Sequence, residues 1–443
     1  MLIHKKLIVA LLVFFIFVNS SFAHNNDDCD EDGGNPKDNI KKNSGKNFYD
    51  INDYYSNENY NYYSGSNKDC ASASYITVPL GTTGGLDEGG LSSFLLTKKG
   101  SNLFIALDAG TIWAGVRRLT TFKQFNSLFN IQYPDWAVLP EQKTSWFIKN
   151  HILGYFIGHS HIDHVGGLII VSPEDYISAG YLTATPKINT GIVGLFNKMG
   201  LNTTNHNFTA NLLTSKPIIG LPTTNKYIQE DLFNWFIWPN LPQLSRYSYY
   251  TVASGIENNV AESLIQFNAS LTGAVANDFP FSHKFKTFDV CHDTLTSSAF
   301  LFTDKISGEQ VAFFSDTGVP SSTGLTCDWE AKIINVFKSI TLGKLKAIYL
   351  ECSFLNEAAD STLFGHLRPK DVMKLMDYLL TQSVNSGYTN LKHVKLIIQH
   401  IKPQVTQATN NWTAQKAVYE QLKALNTHNV KIIIPNQGDP ICI

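Results

Sequence analysis

The chain has 443 residues, of which 43% are hydrophobic, 12% aromatic and only 16% charged, and its formal net charge is −2. That length and apolar content suit one large domain or two ordinary ones and exclude a small scaffold held by disulfides alone. The near-neutral balance, with no run of Lys or Arg, argues against a nucleic-acid polymer as ligand, because binding many phosphates needs a basic footprint. A small anion stays compatible, since a metal site brings its own positive charge.

Residues 1–23 read as a secretory signal peptide. His4, Lys5 and Lys6 form a weakly basic start, an apolar run follows over 7–18, and Ser21 and Ala23 meet the small-residue rule, which places cleavage after Ala23. A membrane anchor is the alternative, but the run is short for a span and lacks a charged stop. No later apolar segment is long enough to span, and residues 435–443 lack the apolar tail of a lipid-anchor signal. Residues 24–69, rich in Asn, Asp, Tyr and Ser, hold little to bury and read as a flexible segment.

A catalytic domain is expected over 70–443. Residues 74–80 read as a strand running into a glycine-rich turn at 81–90, and 92–97 and 102–107 read as paired strands. The second ends at Asp108-Ala109-Gly110, and a mostly helical stretch precedes another strand at 152–157. Residues 173–288 carry no catalytic motif and are expected to cap the site. Within them Trp235 or Trp238 could stack on a flat ligand ring, although core packing is the favoured reading for both. Strands follow at 298–303, 310–314, 346–350 and 394–398, with helices at 329–340 and 369–380. Strands interleaved with helices imply an α/β or mixed layered fold.

Two features agree with secretion. Asn202, Asn207, Asn268 and Asn411 each begin an Asn-X-Ser/Thr triplet, the acceptor for N-glycosylation. The six cysteines allow up to three disulfides in an oxidising compartment, with connectivity open and a buried free thiol as the alternative for Cys291 and Cys352.

The strongest chemical signal is His159-Ser-His161-Ile-Asp163-His164, three imidazoles and a carboxylate within six residues. Residues two apart in an extended turn point the same way, so His159 and His161 can grip one ion, while Asp163 and His164 begin the next element and can face a second. Further donors stand at strand ends: His292, Asp316 in Phe314-Ser-Asp-Thr-Gly318, and His400 after the strand at 394–398. Asp316 is the natural bridge, because a carboxylate offers two oxygens. Bound cations would activate a water for hydrolysis.

The ordered pattern HxHxDH, His, Asp, His resembles the metallo-β-lactamase superfamily, and HSHIDHVGGLIIVSP resembles the signature of class II cyclic-nucleotide phosphodiesterases, with Ile162 where that family usually has leucine. LGTTGGLDEGGLSSFLL, CHDTLTSSAFLFTD, FFSDTG, YLECSF and FGHLRP extend the likeness over the folded region. The resemblance implies a four-layer αββα sandwich of two mixed β-sheets flanked by helices. It implies one metal held by His159, His161 and His292 and a second by Asp163, His164 and His400, with Asp316 between them. Zinc is the default, with manganese or iron also compatible. It further implies Asp108 as the carboxylate orienting a ligand histidine. Asp163 and His366 are the expected catalytic residues, His366 as phosphate contact or proton donor, with metal ligation as its alternative. The implied activity is hydrolysis of 3′,5′-cAMP, with cGMP a further substrate, to the 5′-monophosphate outside the cell. A lactonase or thioesterase of the same fold is the nearest rival. A non-catalytic glycoprotein would show missing ligands, and every ligand position is filled.

Overall fold

The computed structural model describes residues 70–171, 216–243, 247–265, 279–320, 327–384, 387–405 and 412–443, all within one compact unit spanning Asn61–Ile443. The signal peptide, the segment 24–69, Cys29 and the four glycosylation triplets' asparagines lie outside the described residues.

Two seven-stranded sheets form the described framework. The first contains β1 (Tyr75–Gly81), β2 (Ser93–Lys98), β3 (Phe104–Leu107), β4 (Ile152–Phe156), β5 (Lys216–Gly220), β6 (Tyr247–Thr251) and β14 (Ile441–Cys442), in the order β14-β1-β2-β3-β4-β5-β6. The second contains β7 (Glu257–Asn259), β8 (His283–His292), β9 (Leu295–Asp304), β10 (Gln310–Phe314), β11 (Leu345–Glu351), β12 (Lys395–Gln399) and β13 (Lys431–Ile433), in the order β13-β12-β11-β10-β9-β8-β7. Each sheet is antiparallel at one side and parallel at the other, the change falling at β3 in the first and β10 in the second.

Alternation along the strands builds three apolar layers. In β10, Val311 and Phe313 join Phe94, Phe156, Phe285, Phe300, Phe302 and Tyr349 between the sheets, whereas Ala312 and Phe314 face outward onto helices. Those helices are α7 (Trp329–Phe337), α8 (Pro369–Gln382) and α9 (Ala414–Leu425), which follow the short α5 (Pro222–Tyr227) and α6 (Val260–Ile265) in the chain. The first sheet's outer face packs on α1 (Trp113–Thr121), α2 (Lys123–Leu128) and α3 (Pro140–His151). Both faces are covered, so central strands such as β4 and β10 are buried along their whole length. The result is the four-layer αββα sandwich with two mixed sheets.

The structure corrects three readings. Residues 173–288 were expected to cap the site; their described part instead supplies β5 to β7 and the start of β8, two strands in one sheet and two in the other, while 173–215, 244–246 and 266–278 lie outside the described residues. Strand β8 is hard to see in sequence because Lys284, Lys286 and Asp289 interrupt a run whose other residues are mostly buried. His292 therefore ends a strand of its own. Trp235 and Trp238 are 47% and 36% exposed, so core packing is overturned. Asn234 Oδ1 accepts the N–H groups of Phe236 and Ile237, and Trp235 N–H donates to the Trp238 carbonyl, closing a turn that holds both indoles out of the core. Disulfides join Cys70 to Cys442 and Cys291 to Cys327, while Cys352 is a buried free thiol.

A buried histidine away from the chemistry gives a pH test. His283 hydrogen-bonds with Tyr75 Oη at 2.9 Å and with Ser282 Oγ at 2.9 Å. Burial pushes its pKa from 6.5 down to about 4. The unfolded chain therefore binds more protons between those values, so stability falls as pH drops through that window. The loss attributable to this group is roughly 3 kcal/mol. Denaturant titrations across the window should show His283→Gln with a shallower stability slope than the parent; equal slopes would overturn this account.

Candidate metal centre

The histidines and carboxylates converge where strands of both sheets end. Asp108 follows β3, His159 follows β4, His292 closes β8, Asp316 follows β10, Glu351 closes β11 and His400 follows β12. The exit of β4 lies against that of β10: a Cβ on Gly158 would come within 2.0 Å of Ser315 Cβ, so only glycine allows this approach. His161 is the N-cap of helix α4 (Ile162–Ile170), which starts Asp163 and His164 into the site. Asp108, Asp293, Phe364 and His400, all bordering the centre, have φ of 55°, 45°, 50° and 58°, the left-handed strain that functional sites concentrate.

The imidazoles are oriented from behind. Asp108 Oδ2 lies 2.7 Å from His164 Nδ1 and the Gly365 carbonyl 3.1 Å from His292 Nδ1. Each is an acceptor, which puts the proton on Nδ1 and frees Nε2. Ser315 Oγ donates to Asp108 Oδ2 at 2.7 Å and can then accept from His159 Nδ1 at 3.3 Å. Ser353 Oγ donates to Glu351 Oε2 at 2.6 Å and can accept from His400 Nδ1 at 2.9 Å. Four Nε2 lone pairs are thereby turned inward. His161 presents its Nδ1, 3.2 Å from His292 Nε2.

Asp316 is the hub. Its Oδ2 lies 3.1 Å from His164 Nε2, 3.2 Å from His400 Nε2, 3.8 Å from His159 Nε2 and 3.9 Å from His292 Nε2. Asp163 Oδ2 reaches His400 Nε2 at 3.0 Å. Burial opposes the Asp316 charge, but His164 and His400 hold its pKa well below the usual range. Burial would lower His164, but Asp316 and Asp108 hold it well above its ordinary value. Burial pushes His159 down, and the neighbouring histidines push it further.

These side chains fit a divalent ion. His159 Nε2 and Asp316 Oδ1 are buried with no hydrogen-bond partner, which a folded chain rarely tolerates unless something else satisfies them. The donor atoms fall into a group of His159, His161 and His292 and a group of Asp163, His164, Asp316 and His400, each with its atoms within 4.8 Å of one another. Imidazole nitrogens with carboxylate oxygens suit first-row divalent metals.

His366 lies at the same place, its ring 5.0 Å from that of His400 and 4.9 Å from that of His292. Its Nδ1 meets both Glu351 oxygens, at 3.0 and 2.8 Å. Asp316, Glu351, His366 and His400 form a third group within 4.8 Å, so the geometry keeps metal ligation open for His366. Glu351 was missed by the sequence reasoning. It is fully buried and accepts the Thr317 N–H at 2.7 Å, and a carboxylate closing the apolar strand β11 was its available signal. Burial and Asp316 raise its pKa to about 8, while burial lowers that of His366 to about 4. The pair thus favours the neutral acid beside the neutral imidazole.

The crystal structure of unliganded yeast PDE1 superposes with a TM-score of 0.60 at 19% identity, covering 84% of this chain and all of that one, and shares the fold. The chain is 64% identical to cAMP/cGMP-dependent 3′,5′-cAMP/cGMP phosphodiesterase A of Dictyostelium discoideum, over 90% of this chain and 89% of that protein. It is 52% identical to phosphodiesterase 7 of the same organism, over 99% and 100%. A 3′,5′-cyclic-nucleotide phosphodiesterase of Aliivibrio fischeri is 31% identical over 84% and 93%. A family model of class-II cAMP phosphodiesterases matches residues 68–438. The chain therefore belongs to the class-II cAMP phosphodiesterase family.

Proposed function

We propose that this chain is a secreted enzyme that hydrolyses 3′,5′-cAMP, and cGMP as a second substrate, to the 5′-monophosphate with two divalent ions, zinc by default. The observation that carries the reading is the convergence of inward-turned imidazoles on Asp316, with two buried donor atoms left unpaired, in a member of this family.

His159, His161 and His292 would hold one ion, Asp163, His164 and His400 the other, and Asp316 would be shared. Bound there, divalent ions lower the pKa of water and neutralise phosphodiester charge. The protein's own part is to orient the ligands from behind and to handle the leaving oxygen. Water's oxygen bonds to phosphorus as the 3′ P–O bond breaks, so the 3′-oxygen departs needing a proton. His366 can give it from Nε2 while Nδ1 takes the Glu351 proton across the 2.8 Å contact between them; the proton shed by the attacking water passes to solvent, and Glu351 regains one from solvent, which balances the cycle.

Extracellular placement is supported by the signal-like N-terminus and by the two disulfides, which persist in oxidising compartments. Asn202, Asn207, Asn268 and Asn411 are the proposed glycosylation sites. No helix among the described residues is long and apolar enough to cross a membrane.

Purified protein should hydrolyse cAMP, lose that activity on prolonged chelation and regain it with zinc or manganese. Full turnover by protein shown to be metal-free by elemental analysis would sink the two-metal reading.

A further inference from the structure

Three chain segments that border the metal centre each present an exposed apolar side chain: Leu86, Ile162 and Phe364 are 66%, 61% and 57% exposed. The Leu86 turn lies over one side of the centre. Gly85 N–H donates to Asp163 Oδ2 at 3.1 Å, and a Cβ on Gly84 would come within 2.3 Å of the His400 ring. Ile162 stands between His161 and Asp163 in the chain. Phe364 precedes Gly365, whose carbonyl faces His292 Nδ1 at 3.1 Å, and His366 follows directly. Leu86 lies in the β1–β2 connection, Ile162 opens helix α4 and Phe364 lies in the β11–α8 connection, so three separate segments of the chain border the centre. Single exposed apolar residues are ordinary, whereas three around one charged centre form an apolar rim.

The backbone at Phe364 is a second observation. Its φ of 50° is left-handed, an outlier for a bulky side chain. The loop is pinned on both sides, Gly365 N–H donating to the Val319 carbonyl at 3.0 Å and His366 N–H to the Leu363 carbonyl at 3.0 Å. A strained aromatic held next to a polar centre is the kind of feature that function retains.

We propose that Leu86, Ile162 and Phe364 are the base-binding rim of the site, with Phe364 stacking on the purine of a cyclic nucleotide whose phosphate faces the His/Asp cluster. This deepens the proposed phosphodiesterase reading and rests on it. A nucleotide joins an anion to a flat apolar ring, and the site joins a cation-binding centre to an apolar rim. Stacking grips the face of a base and leaves its edges unread, so the rim accepts adenine and guanine alike.

The test is equilibrium binding without turnover. Calorimetry on the metal-loaded, full-length protein compares 5′-AMP, 5′-GMP and base-free ribose 5-phosphate. The parent should bind both nucleotides more tightly than the sugar phosphate. Phe364→Ala should weaken both by about tenfold to a hundredfold and leave ribose 5-phosphate unchanged, while Phe364→Trp should retain parent affinity. Phe364→Gly, which adopts a left-handed backbone without strain, should match Phe364→Ala and so separate lost stacking from a disturbed loop. Equal parent affinities for AMP and ribose 5-phosphate, or an equal loss on both in Phe364→Ala, would overturn the rim. Absence of cAMP hydrolysis by the parent would instead defeat the phosphodiesterase reading, and the binding comparison would still judge the rim.

Discussion

Asp316→Ala should leave a folded protein that holds less metal and turns over cAMP about a thousandfold more slowly or worse, because metal charge stabilisation is worth several kcal/mol and each 1.36 kcal/mol is tenfold in rate. The expectation rests on Asp316 Oδ2 lying within 3.9 Å of Nε2 on four histidines, a position no other carboxylate oxygen shares among the described residues. Removing it leaves inward-facing lone pairs with nothing anionic between them, so each of the two proposed ions would lose a donor. Asp135→Ala, on an exposed turn, is the matched control and should change neither quantity. Asp304 would be a poor control, since its buried carboxylate pairs with Lys98 at 2.7 Å. Elemental analysis after desalting decides the point. Two tightly retained ions in Asp316→Ala would refute the shared role even if activity fell.

His366→Ala should keep its metal and lose roughly a hundredfold to ten-thousandfold on cAMP, the range for general acid–base catalysis. A p-nitrophenyl phosphodiester, whose leaving group departs without a proton, should suffer far less. Glu351→Gln tests the same relay through its partner. It can still hydrogen-bond to His366 Nδ1 but has no proton to pass, so it should reproduce the substrate-dependent loss in milder form and alter the pH profile of cAMP hydrolysis. His400→Ala should instead lose metal along with activity on both substrates, because His400 Nε2 stands 3.0 Å from Asp163 Oδ2 and 3.2 Å from Asp316 Oδ2. An equal loss on both substrates in His366→Ala, with metal retained, would point to phosphate binding. Metal loss there with retention in His400→Ala would make His366 the ligand that the third donor group permits.

Much of the fold was legible in the residues because its strands are buried on both faces. Gln310–Phe314 is an unbroken apolar run after its first residue, and its bounds coincide with those expected from sequence. The donor residues were legible for a related reason. Imidazoles and carboxylates that close or follow such strands have left the apolar layers, and several of them at strand ends must meet where the sheets end together. Strand β8 was not legible, because its lysines and aspartate alternate with buried residues and obscure the run until β9 pairs with it over the whole of His283–His292.

The sequence by itself determined which atoms could bind an ion; only the tertiary structure decided which way they point. The tautomer of four of the ligand histidines follows from what their outer nitrogens meet, and those partners are remote. Ser315 lies 156 residues from His159, Asp108 56 from His164, Gly365 73 from His292 and Ser353 47 from His400. The same holds for the Cys70–Cys442 bridge across 372 residues and for Glu351 behind His366. Side-chain chemistry is a property of the residue, but orientation and proton position depend on neighbours that only chain folding brings within hydrogen-bonding distance.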